Sequence, residues 1–177
     1  MPKKNVKVKI QSHMSDLTNA DMMRTVIDDK GVMSVLNAEE IIDDKVEFST
    51  NAVLKDNGGK IELVYDELEE LGMEKSRTRL IFNKDEPTVV TMLRTGSVST
   101  GMVFDSDKKG RRHMCTYNTG FMPIELCICT RNIDNTLTYD SGGTVYLDYE
   151  VEFHGIKTER NRFTIEVTNQ RQEGKSV

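Results

Sequence analysis

From Thr144 to His154 the chain reads TVYLDYEVEFH, and apolar and polar side chains alternate through most of it. Val145, Leu147, Tyr149, Val151 and Phe153 fall on one parity; Thr144, Tyr146, Asp148, Glu150, Glu152 and His154 fall on the other. Successive side chains of a strand point to opposite faces, so this period of two predicts a long strand with one packed and one largely wet face. At about 3.3 Å per residue it would span roughly 36 Å, a length typical of the curved, continuous strands of barrels and large antiparallel sheets.

Other segments repeat the pattern. Val6, Val8 and Ile10 alternate with lysines, Met122 to Thr130 alternates with Pro123 to Arg131, and Phe163, Ile165 and Val167 do the same near the C-terminus. Ile61, Leu63 and Tyr65 follow Asn57-Gly58-Gly59, a hairpin signal. Less regular strands are expected at 46–55, 75–83, 88–95, 98–105 and 112–118, separated by turn-like stretches that include Ser141-Gly142-Gly143. Nine or ten strands with connections this short imply antiparallel neighbours, and a sheet of that size curls into a barrel or folds into a sandwich. The barrel is the preferred reading. Residues 12–45 are the exception: Thr18-Asn19-Ala20-Asp21 resembles a helix start, Met22, Met23, Val26 and Ile27 supply an apolar stripe, and Gly31 offers a stop. A second helical turn is expected at Asn37-Ala38-Glu39-Glu40. The acidic 12–45 insertion is therefore read as a helical plug over one barrel end, with a lid or partner-binding arm as the sharper reading.

A length of 177 residues suits one domain, with 170–177 as a flexible C-terminal tail. A net charge of −5 argues against general binding to nucleic acid or anionic membrane, which need an excess of Lys and Arg. No run approaches the roughly 20 apolar residues of a membrane span. Cys115, Cys127 and Cys129 are an odd set without disulfide spacing, so a reducing cytoplasm is the expected home.

Catalytic motifs are missing: there is no Gly-rich phosphate loop, nucleophile elbow or helical pair of metal ligands. His13, His113 and His154 lie on three different segments and are read as solvated or singly hydrogen-bonded. Cys127-Ile128-Cys129 puts two thiols on one strand face and reads as packing, with no metal or other cofactor expected. Lys108 to His113 is the sharpest basic cluster; a solvated hairpin tip is preferred to an anion site. More informative are Tyr65 and Glu67, which continue the face of Ile61 and Leu63, and Arg94, which continues that of Val90 and Met92. If those faces line the interior, a buried carboxylate and guanidinium must pair with each other or with a ligand, and an internal Glu67–Arg94 salt bridge is preferred.

In order, Gly59 to Glu67, Leu93-Arg94-Thr95-Gly96, Met102-Val103-Phe104, Tyr117-Asn118-Thr119-Gly120, Leu126 to Thr130 and Leu147-Asp148-Tyr149 resemble the DUF1934, or YwiB-like, family. The resemblance covers residues 46–168 and the first strand at 4–11. It implies a bacterial protein with a calycin-like, lipocalin-like antiparallel β-barrel of about 8–10 strands, and it supplies no established activity. The 12–45 insertion is longer than the connection expected there, and Phe121-Met122-Pro123 departs from the family pattern. The leading expectation is a non-enzymatic barrel that binds a small, partly apolar ligand. Tyr65, Glu67, Arg94, Tyr117, Thr119 and Tyr149 would be its polar groups, Val145, Leu147 and Val151 its apolar wall, and Arg94 would pair an acidic group. A solidly packed protein-interaction or scaffold module is the alternative, and an enzyme with Glu67 as general base beside Arg94 is third. An exposed strand edge would allow a homodimer.

Overall fold

The alternation seen in the sequence is realised in a computed structural model that describes residues 1–17, 24–27, 33–36, 42–68, 75–107 and 112–170. Its strands are β1 (Lys3–Asp16), β2 (Arg24–Ile27), β3 (Met33–Leu36), β4 (Ile42–Asp56), β5 (Lys60–Asp66), β6 (Arg77–Asn83), β7 (Val89–Thr95), β8 (Ser99–Asp105), β9 (Arg112–Asn118), β10 (Pro123–Asn135), β11 (Gly143–Phe153) and β12 (Ile156–Asn169). Ten of them close into an antiparallel barrel in the order β1-β12-β11-β10-β9-β8-β7-β6-β5-β4. The narrowest seam lies between β8 and β9, paired only at Ser99–Asn118 and Thr100–Tyr117. Farther along β8, the Asp105 amide instead donates to the Thr130 hydroxyl of β10 at 3.1 Å.

The expected helices are not found among the described residues. Arg24–Ile27 and Met33–Leu36 pair as a separate antiparallel hairpin, Arg24 opposite Leu36. Thr25, Val26, Ile27 and Val35 are β-branched, and such side chains favour strands over helices. The helix-start box, Met22, Met23, Gly31 and the turn at 37–40 lie outside the described residues, as does most of the tail at 170–177. The insertion is also shorter than 12–45, because β1 continues to Asp16 and β4 starts at Ile42.

Inward-facing side chains fill one half of the barrel. Val6, Val8, Leu54, Leu63, Leu80, Val90, Phe104, Ile128, Val145, Leu147 and Ile165 are all buried to within 1% exposure. Each fully buried side chain of this size contributes about 1.5–3 kcal/mol relative to exposure. The β10–β11 turn closes this end through two glycines that nothing else can replace. Gly142 has φ +78° and Gly143 +141°, and a Cβ on either would lie 2.2 Å from the Val167 oxygen or 2.4 Å from that of Thr136.

The second face of β11 departs from the wet face its pattern predicts. Asp148, Glu150 and Glu152 point outward yet are 7%, 5% and 7% exposed. Long basic side chains from β9, β10 and β12 lie over them and leave their charged ends toward water. Arg160 makes a two-point contact with Asp148 at 2.8 and 2.9 Å, Arg131 and Lys157 both pair with Glu150, and Arg112 pairs with Glu152. Arg131 sits where the β10–β11 register shifts between Thr130 and Asn132.

Burial alone would raise the Glu150 pKa; the bonds from Lys157 and Arg131 more than reverse this and hold it below 4.5. A carboxylate depressed in the folded state stabilises it above the unfolded pKa and loses that contribution as pH falls through the folded value. Glu150→Gln is therefore expected to be less stable than the wild type at pH 7 by about 1 kcal/mol, since both cations are half exposed. In urea titrations across pH 3–7 the difference should narrow below pH 4.5.

Candidate functional site

The other half of the barrel is hollow. A cavity of about 690 Å³ opens where the connections after β1, β5, β7, β9 and β11 lie. It exists because the inward positions there carry smaller, polar or half-buried groups where the opposite half carries large aliphatic ones. Ser12 and Met14 continue the face of Ile10, Asp44 and Val46 precede Phe48, and Asn161 and Glu159 precede Phe163.

One cross-strand row organises the polar wall. Tyr65 on β5 stands opposite Thr78 on β6, Thr78 opposite Arg94 on β7, Arg94 opposite Thr100 on β8, and Thr100 opposite Tyr117 on β9. Glu67 joins this row from just beyond β5, its amide donating to the Ser76 carbonyl at 2.9 Å. The internal salt bridge read from the sequence is present. Arg94 Nη2 donates to Glu67 Oε1 at 3.0 Å, the Thr78 hydroxyl donates to the same oxygen at 2.5 Å, and Arg94 Nε donates to Thr78 Oγ1 at 3.2 Å. Burial works against the Arg94 charge, but the adjacent Glu67 carboxylate and, after it, Tyr65, Tyr117 and Tyr149 together outweigh it and hold the guanidinium pKa above its ordinary value. Burial, with the nearby Glu67 charge, pushes the Tyr65 phenol far up; burial raises that of Tyr149 to about 12. Both phenols are therefore neutral hydrogen-bonding groups at pH 7.

Five of the six residues singled out in the sequence, Tyr65, Glu67, Arg94, Tyr117 and Tyr149, line this one cavity. Thr119 does not: its hydroxyl donates to the Met122 carbonyl within the β9–β10 turn. Of the three aliphatic residues, Val151 lines the cavity, whereas Val145 and Leu147 sit in the packed core. Sequence reading missed Ser12, Met14, Asp44, Glu159 and Asn161. Extending the inward parity of Val6-Val8-Ile10 forward, and that of Phe163-Ile165-Val167 backward, reaches four of them.

The remaining chemistry lies elsewhere. Cys127 and Cys129 face outward, and their sulfurs lie with a Glu152 carboxylate oxygen within 4.8 Å of one another. Cys129 Sγ donates to Glu152 Oε1 at 3.3 Å, and burial followed by the Glu152 charge pushes its pKa up to about 12. The Cys129 thiol is protonated at pH 7 and already bonded to the carboxylate that Arg112 also holds. In the basic cluster, Lys108 to Arg111 lie outside the described residues and Arg112 is committed to Glu152. Histidine 154, expected on the polar face of its strand, is instead in the β11–β12 turn with φ +51°, its ring packed edge-on against Phe153.

The fold is therefore a closed ten-stranded antiparallel barrel with a cavity at one end. Residues 31–165 match the family model described as a domain of unknown function, DUF1934, and the chain belongs to that family. The crystal structure of the ywiB protein from Bacillus subtilis is similar in fold, with a TM-score of 0.58 and 17% sequence identity over 93% of this chain and 92% of that one. No curated protein matches the chain. Among the described residues no helix is long and apolar enough to cross a membrane.

Proposed function

We propose that this protein binds a small, partly apolar molecule inside the barrel, without catalysis. The cavity carries this reading. Its volume of about 690 Å³ falls within the 300–1,000 Å³ typical of small-molecule sites. Its walls combine apolar surface from Phe48, Leu126 and Phe163 with a few convergent polar groups, the composition that such sites use to hold and orient a ligand. Glu67 is a poor free base, because one of its oxygens already accepts from both Arg94 and Thr78.

The uncharged fluorescent dye Nile red tests the reading. Saturable one-to-one binding is expected, with loss of at least tenfold in affinity in Ser12→Trp, which fills the cavity from β1. Circular dichroism should show the same β-sheet signal in both proteins. Absence of saturable binding to the wild type, or equal binding by a folded Ser12→Trp, would overturn the proposal.

A second reading, an interaction module, is favoured by the cavity-end turns. Phe121 is 98% exposed and Met122 63% in the β9–β10 turn, and Ile156 is 64% exposed after β11. Apolar groups this exposed are common at protein contact sites. That reading requires no ligand in the barrel, so Ser12→Trp would leave its function intact.

A further inference from the structure

We infer that the occupant of the cavity carries a cationic, amine-bearing end, seated between Glu159, Asn161 and Asp44, with its apolar body deeper in the barrel. The inference rests on the cavity being a binding site and concerns which chemistry it selects.

Charge is distributed differently on the two sides of the barrel wall. On the outside, Asp148, Glu150 and Glu152 each have at least one basic partner. Inside, Glu67 has Arg94. Two further carboxylates line the cavity, Asp44 and Glu159, and neither has a hydrogen bond or ion pair among the described residues. The basic side chains flanking Glu159 in sequence are spent elsewhere: Lys157 pairs with Glu150 and Arg160 with Asp148, both on the outer face.

Asn161 makes the independent case for a ligand. It lines the cavity, is only 9% exposed, and its side-chain amide has no hydrogen-bond partner among the described residues. Its amide therefore stands open to a polar group entering the cavity, to which it can both donate and accept. Register brings the three residues to one rim from adjacent strands. Asn161 on β12 stands opposite Met14 on β1, and Met14 stands opposite Asp44 on β4; Glu159 is two positions from Asn161 on the same face.

An acidic ligand has less to gain. The cationic side chain in the lining, Arg94, already shares its charge with Glu67, and a carboxylate entering the cavity would pass Asp44 and Glu159. Clefts lined by one sign of charge concentrate ligands of the other.

The test uses three molecules of equal chain length, decylamine, decanol and decanoate, each competing with Nile red for the full-length protein at pH 7 and low salt. Decylamine should bind at least tenfold more tightly than decanoate, with decanol between them, and the gap should shrink as salt is added. Asp44→Asn/Glu159→Gln should remove most of the preference and leave decanol unchanged, and Asn161→Leu should weaken decylamine more than decanol. Decanoate binding as tightly as decylamine, or a preference that survives in the double variant, would overturn the cationic assignment and leave the cavity reading standing. Failure of all three to displace the dye, or a wild type that does not bind the dye, would overturn the cavity reading and this inference with it.

Discussion

Glu67→Ala is expected to destabilise the protein by about 3 kcal/mol, and Glu67→Leu/Arg94→Met to recover most of that loss. The Glu67 side chain is 4% exposed and that of Arg94 13%, so neither charge is well hydrated in the folded state. Removing one partner of such a pair typically costs about 3–5 kcal/mol because the other charge stays buried and uncompensated. The lower end applies because Arg94 borders the cavity and keeps some access to water. Replacing both by apolar groups removes the two desolvation penalties along with the attraction, and is often neutral or better. Thr78→Val should cost less than Glu67→Ala, since it removes hydrogen bonds and no charge. Urea unfolding followed by circular dichroism measures all three variants, and equal losses in Glu67→Ala and the double variant would show that the pair is not coupled.

The pair was legible because period two assigns a side to every residue of a strand once one buried position is known. That logic put Tyr65, Glu67, Arg94 and Tyr149 on the parity of their strands' apolar residues, and all four line the cavity. It failed where parity ends. Thr119 and His154 lie beyond their strands in turns, and a residue in a turn has no parity to inherit. The insertion failed for a related reason. Met22, Met23, Val26 and Ile27 fit a helical stripe, but so short an apolar run also fits a strand, and pairing with Met33–Leu36 settled the outcome at Arg24–Ile27.

The wet face of β11 was misread because polarity was taken as exposure. Asp148, Glu150 and Glu152 are covered by the stems of Arg160, Arg131, Lys157 and Arg112, which come from β9, β10 and β12 and are far apart in sequence. Pairing of that kind depends on strand order and register, which alternation alone does not reveal. The same gap hid Asn161 and Glu159: their strand was recognised from Phe163 onward, and its longer reach toward the cavity end came from pairing with β1 as far as Asp16.

Phe104→Ala should be among the most damaging single substitutions in the packed half, with an expected loss of about 3–5 kcal/mol. Phe104 is completely buried, and its ring lies 4.8 Å from that of Tyr149 at an angle of 57°. Truncation removes the transfer free energy of the ring, leaves a void that the surrounding strands cannot close without breaking their ladders, and ends the aromatic contact, itself worth about 0.5–1.5 kcal/mol. Phe104→Leu fills most of that volume and should cost less than half as much. Tyr149→Phe, which keeps the tilted ring contact with Phe104 and deletes only the hydroxyl, should cost under about 1 kcal/mol. These differences, read from urea midpoints at constant slope, separate two roles in one ring pair. Phe104 carries the wall on which Tyr149 rests, so its loss should unfold the barrel more readily, whereas Tyr149 lines the cavity and the loss of its hydroxyl should be felt in ligand affinity before it is felt in stability.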